Sequence, residues 1–172
     1  MRNNLALKLN PDSPELESYV VYFGGKSPAI DEEVKQISES LMAENAANIF
    51  YGFSDRVIIP VFERLHPHAG TMTTNVEKMV QKSQAYMEII GDGFGDTSFD
   101  LAYAAYKTAR NWRLPIGVLV KEDRTHNPKY ANSFLELFEE DITTPIKLII
   151  PYTTPSDAAT KVNDFLKETF KI

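Results

Sequence analysis

Short apolar runs alternate along this chain with longer segments in which apolar residues recur every three or four positions. The runs are rich in β-branched and aromatic residues without polar alternation, a pattern typical of strands buried on both faces. Five runs are interpreted as strands: residues 19–23, 48–51, 85–90, 114–120 and 146–150. Because both faces of such strands need cover, the sequence predicts a sheet between layers of helices.

The segments between these runs carry the spacing and the start signals of helices. Ser27-Pro28 and Thr154-Pro155-Ser156-Asp157 are typical helix starts, since Pro is tolerated in the first turn and Ser or Thr caps it. Six helices are predicted, at residues 31–45, 57–65, 76–82, 98–112, 127–138 and 156–170, with residues 66–74 as a loop. The predicted fold class is therefore α/β: a doubly wound, mostly parallel, Rossmann-like sheet in three layers, built from right-handed βαβ units.

Composition and charge narrow the class of protein. The 172 residues suit one domain, here residues 18–172, after a polar N-terminal arm at residues 1–17 that contains two prolines. The net charge of -6, without a Lys/Arg cluster, argues against nucleic acid as a partner. The chain contains no cysteine, which excludes disulfides and thiolate chemistry. No apolar run reaches the length of a membrane span or resembles a signal peptide, so we expect a cytoplasmic protein without a membrane partner.

Three glycine-containing turns follow predicted strands, and the carboxyl ends of parallel strands meet at one edge of a sheet, where ligands bind. The first glycine turn is Gly24-Gly25-Lys26-Ser27, the second is Gly52-Phe53-Ser54-Asp55-Arg56, and the third runs from Gly91 to Thr97. Glycine lets a ligand approach the backbone, and the N–H groups of the following helix attract an anion. One such turn is usually only a connection, but three at one edge favour a ligand site.

The candidate ligand residues are those that supply close backbone approach, N–H donors, hydroxyls or positive charge. They are Gly24, Gly25, Lys26, Ser27, Gly52, Arg56, Gly91, Gly93, Gly95, Asp96 and Thr97. A carboxylate at a helix start is usually a cap, which is the favoured reading of Asp96. Asp100 lies one turn further, where its carboxylate can bind ribose hydroxyls or act as an acid or base.

Histidine and serine chemistry has little support. His66 and His68 have no third ligand nearby in sequence, so a solvated loop is favoured over a metal site. Ser27 has no histidine partner in sequence for a catalytic triad. We therefore expect no bound metal and no resident cofactor.

The three turns resemble those of the LOG family, the "lonely guy" cytokinin-activating phosphoribohydrolases, which belong to the wider Rossmann-like SLOG superfamily of nucleotide sensors and glycosidases. The similarity covers most of residues 19–170. Residues 21–28 are similar to the family's first strand and its Cys-Gly-Ser-Ser-like turn, and residues 50–56 to its Tyr-Gly-Gly-Gly turn. Residues 91–95 resemble its Pro-Gly-Gly-x-Gly-Thr loop, and residues 114–119 its Lys-Pro-Ile-Gly-Leu-Leu strand.

The chain also departs from the family pattern. Gly52 alone remains of the three glycines in the second turn, and no arginine stands at residues 75–78, where the family carries an Arg-Lys pair. The family's catalytic Glu aligns with Phe99 without a gap. If Asp96 is a one-residue insertion, Asp100 takes that position and Thr97 takes the family's Thr position.

These similarities and departures leave three functions open. The missing arginine favours a LOG-like nucleotide-binding protein with degenerate catalytic residues. The resemblance itself implies a phosphoribohydrolase that cleaves the N-glycosidic bond of a nucleoside 5′-monophosphate, with Asp100 as the catalytic carboxylate. In the third reading, Phe53, Val57 and Ile58 fill the pocket of a catalytically dead structural or regulatory subunit. The expected partners are a small nucleotide or sugar phosphate and, from the resemblance, a second copy in a homodimer or higher homo-oligomer.

Overall fold

A computed structural model describes residues 16–25, 27–63, 69–123 and 128–172 of the chain. Within these ranges, five strands alternate with five α-helices, and a short 3-10 turn at Pro28–Ile30 precedes the first helix. The strands are β1 (Glu17–Gly24), β2 (Arg56–Phe62), β3 (Ala85–Ile90), β4 (Ile116–Lys121) and β5 (Lys147–Tyr152). The helices are α1 (Asp31–Tyr51), α2 (Ala69–Gln81), α3 (Asp96–Asn111), α4 (Pro128–Glu140) and α5 (Pro155–Phe170).

The strands form one parallel sheet in the order β2-β1-β3-β4-β5. Val21 in β1 sets the register on both sides, since it pairs with Pro60 of β2 and with Ala85 of β3. After β1 the chain first adds β2 on one side and then returns to add β3 on the other. The order of strands therefore reverses between β1 and β3, which makes their carboxyl ends the topological switch point of the sheet.

Helices cover both faces of the sheet and bury an apolar layer on each. On one face, α1 and α5 pack over residues such as Val21, Met87 and Leu119. On the other, α2, α3 and α4 pack over residues such as Tyr86, Ile90 and Val118. This three-layer arrangement confirms the predicted α/β fold class. No helix within the described ranges has the length and apolar content needed to cross a membrane.

The predicted strand at residues 48–51 is wrong, because these residues form the last turn of α1. Ile49, Phe50 and Tyr51 are largely exposed, so their apolar character does not reflect burial in a sheet. Gly52 ends the helix in the left-handed conformation, with φ of 65°, and its N–H donates to the carbonyl of Asn48. The run is thus the end of a helix with a glycine cap.

The predicted helix at residues 57–65 is also wrong, because β2 occupies Arg56–Phe62. The segment is dominated by Val and Ile, which favour strands. Pro60 lacks a backbone N–H, yet β2 is an edge strand that pairs with β1 alone, where a missing N–H is tolerated. The helix predicted at residues 76–82 also begins earlier than expected, at Ala69.

Candidate functional site

The first and third glycine turns meet at the switch point between β1 and β3. The hydroxyl of Ser27 donates to the carbonyl of Asp92, with 3.5 Å between the oxygens. A Cβ atom at Gly93 would lie only 3.4 Å from Oγ of Ser27, so the two turns are in contact. Gly25 and Gly93 both adopt positive φ, 90° and 77°, which glycine alone adopts readily. The structure thus brings together Gly24, Gly25, Ser27, Gly91, Gly93 and Gly95, while Lys26 lies outside the described residues.

The second glycine turn does not join them, and its predicted position is wrong. Because residues 48–51 belong to α1, this turn precedes β2 instead of following a strand, and so lies at the amino edge of the sheet. Arg56 makes structural contacts at that edge. Its guanidinium donates to the carbonyls of Phe170 and Lys171 at 2.8 and 3.1 Å, and pairs with Glu17 at 3.3 Å. Gly52 and Arg56 therefore have no place in the carboxyl-edge site.

Because the second glycine turn lies at the amino edge, the residues that were expected to fill a ligand pocket at the carboxyl edge are not there. Phe53 is 74% exposed at the amino edge, and Val57 and Ile58 are packed within the first half of β2. The similarity of residues 50–56 to the LOG family's second turn consequently has no counterpart at the carboxyl edge.

The start of α3 supplies hydrogen-bond donors at the switch point. Gly95 is its N-cap in an extended conformation, and glycine has no side chain that caps a helix. The N–H groups of Asp96, Thr97 and Ser98 donate to no residue in the described part of the chain. Asp96 and Thr97 are exposed. These free donors, together with the positive end of the helix dipole, form a site that favours an anion.

Asp100 lies four residues after Asp96 and so on the same face of α3. It is exposed and makes no hydrogen bond or ion pair with the described residues. Phe99, the other candidate for the family's Glu position, instead packs against Tyr103 and Tyr130, with ring centroids 6.2 and 6.3 Å away. Of the two, only Asp100 has a side chain that is free to meet a ligand.

A polar cluster ties the ends of β3, β4 and β5 to the start of α1. The ammonium of Lys121 lies 2.8 Å from the carboxylate of Asp92, and this hydrogen bond raises the pKa of Lys121. The hydroxyl of Tyr152 donates to buried Glu33 at 3.1 Å, and burial, reinforced by this carboxylate, raises the pKa of Tyr152. Gly91 packs against the second pair, since a Cβ there would lie 2.9 Å from the hydroxyl of Tyr152 and 3.8 Å from Oε1 of Glu33. The cluster braces the third glycine turn.

A second cluster, here called the buried acid cluster, consists of Tyr22, Glu63, Tyr86 and Glu88 beneath the first glycine turn. Each of the four side chains is at most 3% exposed. The hydroxyl of Tyr22 donates to Glu63 at 3.3 Å, and that of Tyr86 donates to Glu88. Burial, followed by the nearby carboxylates, raises the pKa of both tyrosines, so they remain hydrogen-bond donors.

Glu88 is the most unusual member of the buried acid cluster. Its Oε1 atom is buried and has no hydrogen-bond partner. Desolvation by burial, and then the charge of Glu63, raise its pKa well above the ordinary 4.5. A Cβ at Gly24 would overlap Oε2 of Glu88, and one at Gly25 would lie 2.9 Å from Oε1 and overlap the carbonyl of Ile89. Packing against Glu88 and Ile89 therefore accounts for glycine at both positions without a ligand.

Sequence reasoning missed the buried acid cluster, although a signal was present. Glu88 stands inside an apolar run, Ala85-Tyr86-Met87-Glu88-Ile89-Ile90, that was predicted to be buried on both faces. A carboxyl at such a position must be buried and hydrogen-bonded or protonated. Glu63 gave no comparable signal, since its segment was interpreted as a helix.

Two other features carry no part of this site. A cavity of about 500 Å³ lies at the opposite, amino edge, lined by residues such as Tyr19, Lys82, Trp112 and Phe170. The carboxyl ends of α2 and α3 point towards it, and their dipoles disfavour an anion. In the described ranges, no group of three or more His, Asp or Glu residues is placed to hold a metal. His66, His68 and His126 lie outside those ranges.

Comparison with known proteins yields a likeness of fold. No protein-family model matches the chain, and no curated protein matches it. The structure is similar to translation elongation factor SelB from Methanococcus maripaludis in complex with the GTP analogue GppNHp, with a TM-score of 0.52 and 11% identity. The apo form of that protein gives a TM-score of 0.51 and 12% identity. Each match covers 91% of this chain but 34% of SelB, so the chain spans about a third of its neighbour's length.

Proposed function

We propose that this protein binds a small phosphorylated ligand of the nucleotide class at the β1/β3 switch point and does not catalyse a reaction of that ligand. The observation that carries the proposal is the meeting of two glycine turns at the switch point with the uncapped start of α3. In open parallel sheets this is the position at which ligands are held. A LOG-like origin is part of the same proposal, supported by the first and third turns.

The phosphate group is assigned to the start of α3. Gly93 and Gly95 add no side chains of their own to its approach, and Asp96, Thr97 and Ser98 offer N–H donors. Lys26, adjacent in sequence to Ser27, would add a positive charge from the first glycine turn. The ion pair with Lys121 offsets the charge of Asp92, but the exposed carboxylate of Asp96 limits the negative charge that the site accepts, so a monophosphate suits it better than a triphosphate.

A second observation also argues against a nucleoside triphosphate site of the P-loop type. Gly25-Lys26-Ser27 matches the end of the pattern G-x-x-x-x-G-K-[ST], but the first glycine of that pattern falls on Val20. Val20 lies within β1 and pairs with Ile59 of β2, so no loop is available to wrap a triphosphate.

Catalysis would require Asp100, the carboxylate that the resemblance assigns to cleavage of an N-glycosidic bond. Its exposure supports a ribose contact at most, because a catalytic carboxylate gains its strength from a site that excludes water. The missing arginine at residues 75–78 points the same way. Binding without turnover is therefore the proposed function, and base release is the alternative.

The test is a screen of the purified full chain against nucleoside mono-, di- and triphosphates, ribose 5-phosphate and inorganic phosphate. Thermal stabilisation is measured for each compound, and every hit is incubated and chromatographed for free base. We expect stabilisation by at least one monophosphate, no free base, and the same affinity in Asp100→Asn to within about threefold. Base release that Asp100→Asn abolishes would establish the glycosidase instead. No stabilisation by any phosphorylated compound would refute both functions.

A further inference from the structure

Large apolar side chains are exposed at the end of α1 and in the turn that follows. Phe50 is 81% exposed, Phe53 74%, Tyr51 66%, Met42 64% and Ile49 45%. These five residues are here called the α1 aromatic surface. Contiguous exposed apolar patches are uncommon on monomeric proteins and usually mark an interaction site.

The rings of this surface are already arranged against one another. The Phe50 and Tyr51 rings meet edge to face with centroids 5.0 Å apart, and the Tyr51 and Phe53 rings stack at 5.4 Å. Because the rings already hold each other in place, docking of a partner costs these side chains little conformational entropy. Ala43 and Ala46, which are exposed beside them on α1, let a partner approach the helix closely.

The surface carries almost no net charge. Glu44 is the single charged residue between Leu41 and Phe53, and its carboxylate pairs with Lys167 of α5 at 3.2 Å. The chain as a whole has a net charge of -6, so two copies repel each other overall. A neutral apolar face does not repel its copy. It can therefore form a two-fold interface, which requires a face that is complementary to itself.

The area is adequate for such an interface. At the observed exposures, the three rings alone offer on the order of 400 Å² to a partner, given the 150–250 Å² that each aromatic side chain buries in full. Met42, Ile49 and the two alanines bring the total towards the roughly 800 Å² that each partner of a stable interface buries. Extension of the sheet through the adjacent edge strand is disfavoured by Pro60 of β2, so helix packing is the better route.

We infer that the α1 aromatic surface is the interface of a two-fold homodimer. It lies at the amino edge of the sheet, whereas α1 begins at the carboxyl edge, about 30 Å away along a helix of 21 residues. Dimerisation through this surface leaves the β1/β3 switch point open, in contrast with the LOG resemblance, which implies a site near the interface. Loss of the dimer and loss of ligand binding are thus separable.

Sedimentation or light scattering of the full chain over a wide concentration range tests the inference. The wild type is expected to be a dimer, and Phe50→Ser/Phe53→Ser a monomer with unchanged circular dichroism, since neither ring contributes to the core. The matched control is Ile142→Ser, which removes a side chain that is 93% exposed between α4 and β5, and it should remain dimeric. The double substitution should weaken the dimer at least tenfold.

Cross-linking gives an answer even if the double variant fails to fold. The chain contains no cysteine, so Ala46→Cys introduces a single thiol into the interface and Ile142→Cys introduces one outside it. We expect Ala46→Cys to form a disulfide-linked dimer on mild oxidation much faster than Ile142→Cys. A monomeric wild type at every concentration overturns the inference, as do equal cross-linking rates or a dimer that survives both serines.

Discussion

At the level of single residues, Glu88 determines the character of the carboxyl edge. Its carboxyl group occupies the space beneath the first glycine turn, and its Oε1 atom is buried without a partner. The glycines at 24 and 25 were interpreted as a path for a ligand to the backbone, but packing against Glu88 explains them without one. The ligand contacts are therefore expected from the third glycine turn more than from the first.

The raised pKa of Glu88 makes the stability of the fold depend on pH. Between about pH 4.5, its ordinary pKa, and the raised value in the fold, the folded protein holds a proton that the unfolded chain has released. The free energy of unfolding therefore falls as pH rises through this window, by up to about 1.4 kcal/mol per pH unit. Glu63, Tyr22 and Tyr86 face the same carboxyl, but the tyrosines stay neutral throughout.

Glu88→Gln should remove this contribution while keeping an acceptor for the hydroxyl of Tyr86. Urea denaturation at pH 5, 6, 7 and 8 should show the variant gaining stability relative to the wild type as pH rises. A difference between the two proteins that is constant over this range would mean that Glu88 titrates normally.

The contact between Gly24 and Glu88 is open to a double-mutant cycle. Gly24→Ala places a Cβ on Oε2 of Glu88 and should cost about 1–3 kcal/mol of unfolding free energy. In a Glu88→Ala background the space is free, so the same substitution should cost less than about 1 kcal/mol. The measurement is chemical denaturation of the four proteins. Equal costs in both backgrounds would show that Glu88 does not occupy that space.

At the level of secondary structure elements, most of the fold was predictable because local pattern and final environment agree. The run at residues 85–90 is β3 within the same limits, and the helix start at Thr154-Pro155 is the observed start of α5, where the hydroxyl of Thr154 accepts from the N–H of Asp157. In these elements the local sequence preference and the tertiary contacts favour the same secondary structure, so the preference alone predicts it.

The errors fall where the sequence signal has two physical explanations. Ile49, Phe50 and Tyr51 are apolar because they form an exposed surface on a helix, whereas apolar runs were taken to mean burial. Pro60 is compatible with β2 only because β2 lies at the edge of the sheet, a fact that depends on the strand order. These two errors together moved the second glycine turn to the wrong edge, and with it Gly52 and Arg56.

Gly52 should therefore matter for stability and not for binding. No atom lies within 4 Å of a Cβ built at Gly52, so substitution costs only the left-handed backbone conformation, about 1–2 kcal/mol for Ala. Gly52→Asn should cost less, since Asn tolerates that conformation. Thermal denaturation measures both variants. A change in affinity for a phosphorylated ligand in Gly52→Ala would place this turn in the site after all.

At the level of the whole molecule, the strand order is what defines the candidate site. Parallel pairing places five carboxyl ends at one edge, but the reversal between β1 and β3 selects one point on it. The sequence supplied two of the turns that meet there. The buried acid cluster could not be predicted in this way, because Tyr22 and Glu88 lie in β1 and β3 and Glu63 directly follows β2, and the order of these strands could not be inferred from local pattern.

The most direct test of a phosphate site at the start of α3 is a substitution that introduces one negative charge there. Thr97→Glu places a carboxylate among the free N–H groups, where it stabilises the helix by interacting with its dipole but repels an anionic ligand. Thr160→Glu, an equally exposed change in α5, is the matched control. Both variants are titrated calorimetrically with the nucleoside monophosphate that stabilises the wild type most.

We expect Thr97→Glu to fold with unchanged or higher stability and to lose at least about tenfold in affinity, about 1.4 kcal/mol, while Thr160→Glu binds like the wild type. Equal affinities in all three proteins would contradict the assignment and place any phosphate site away from the β1/β3 switch point.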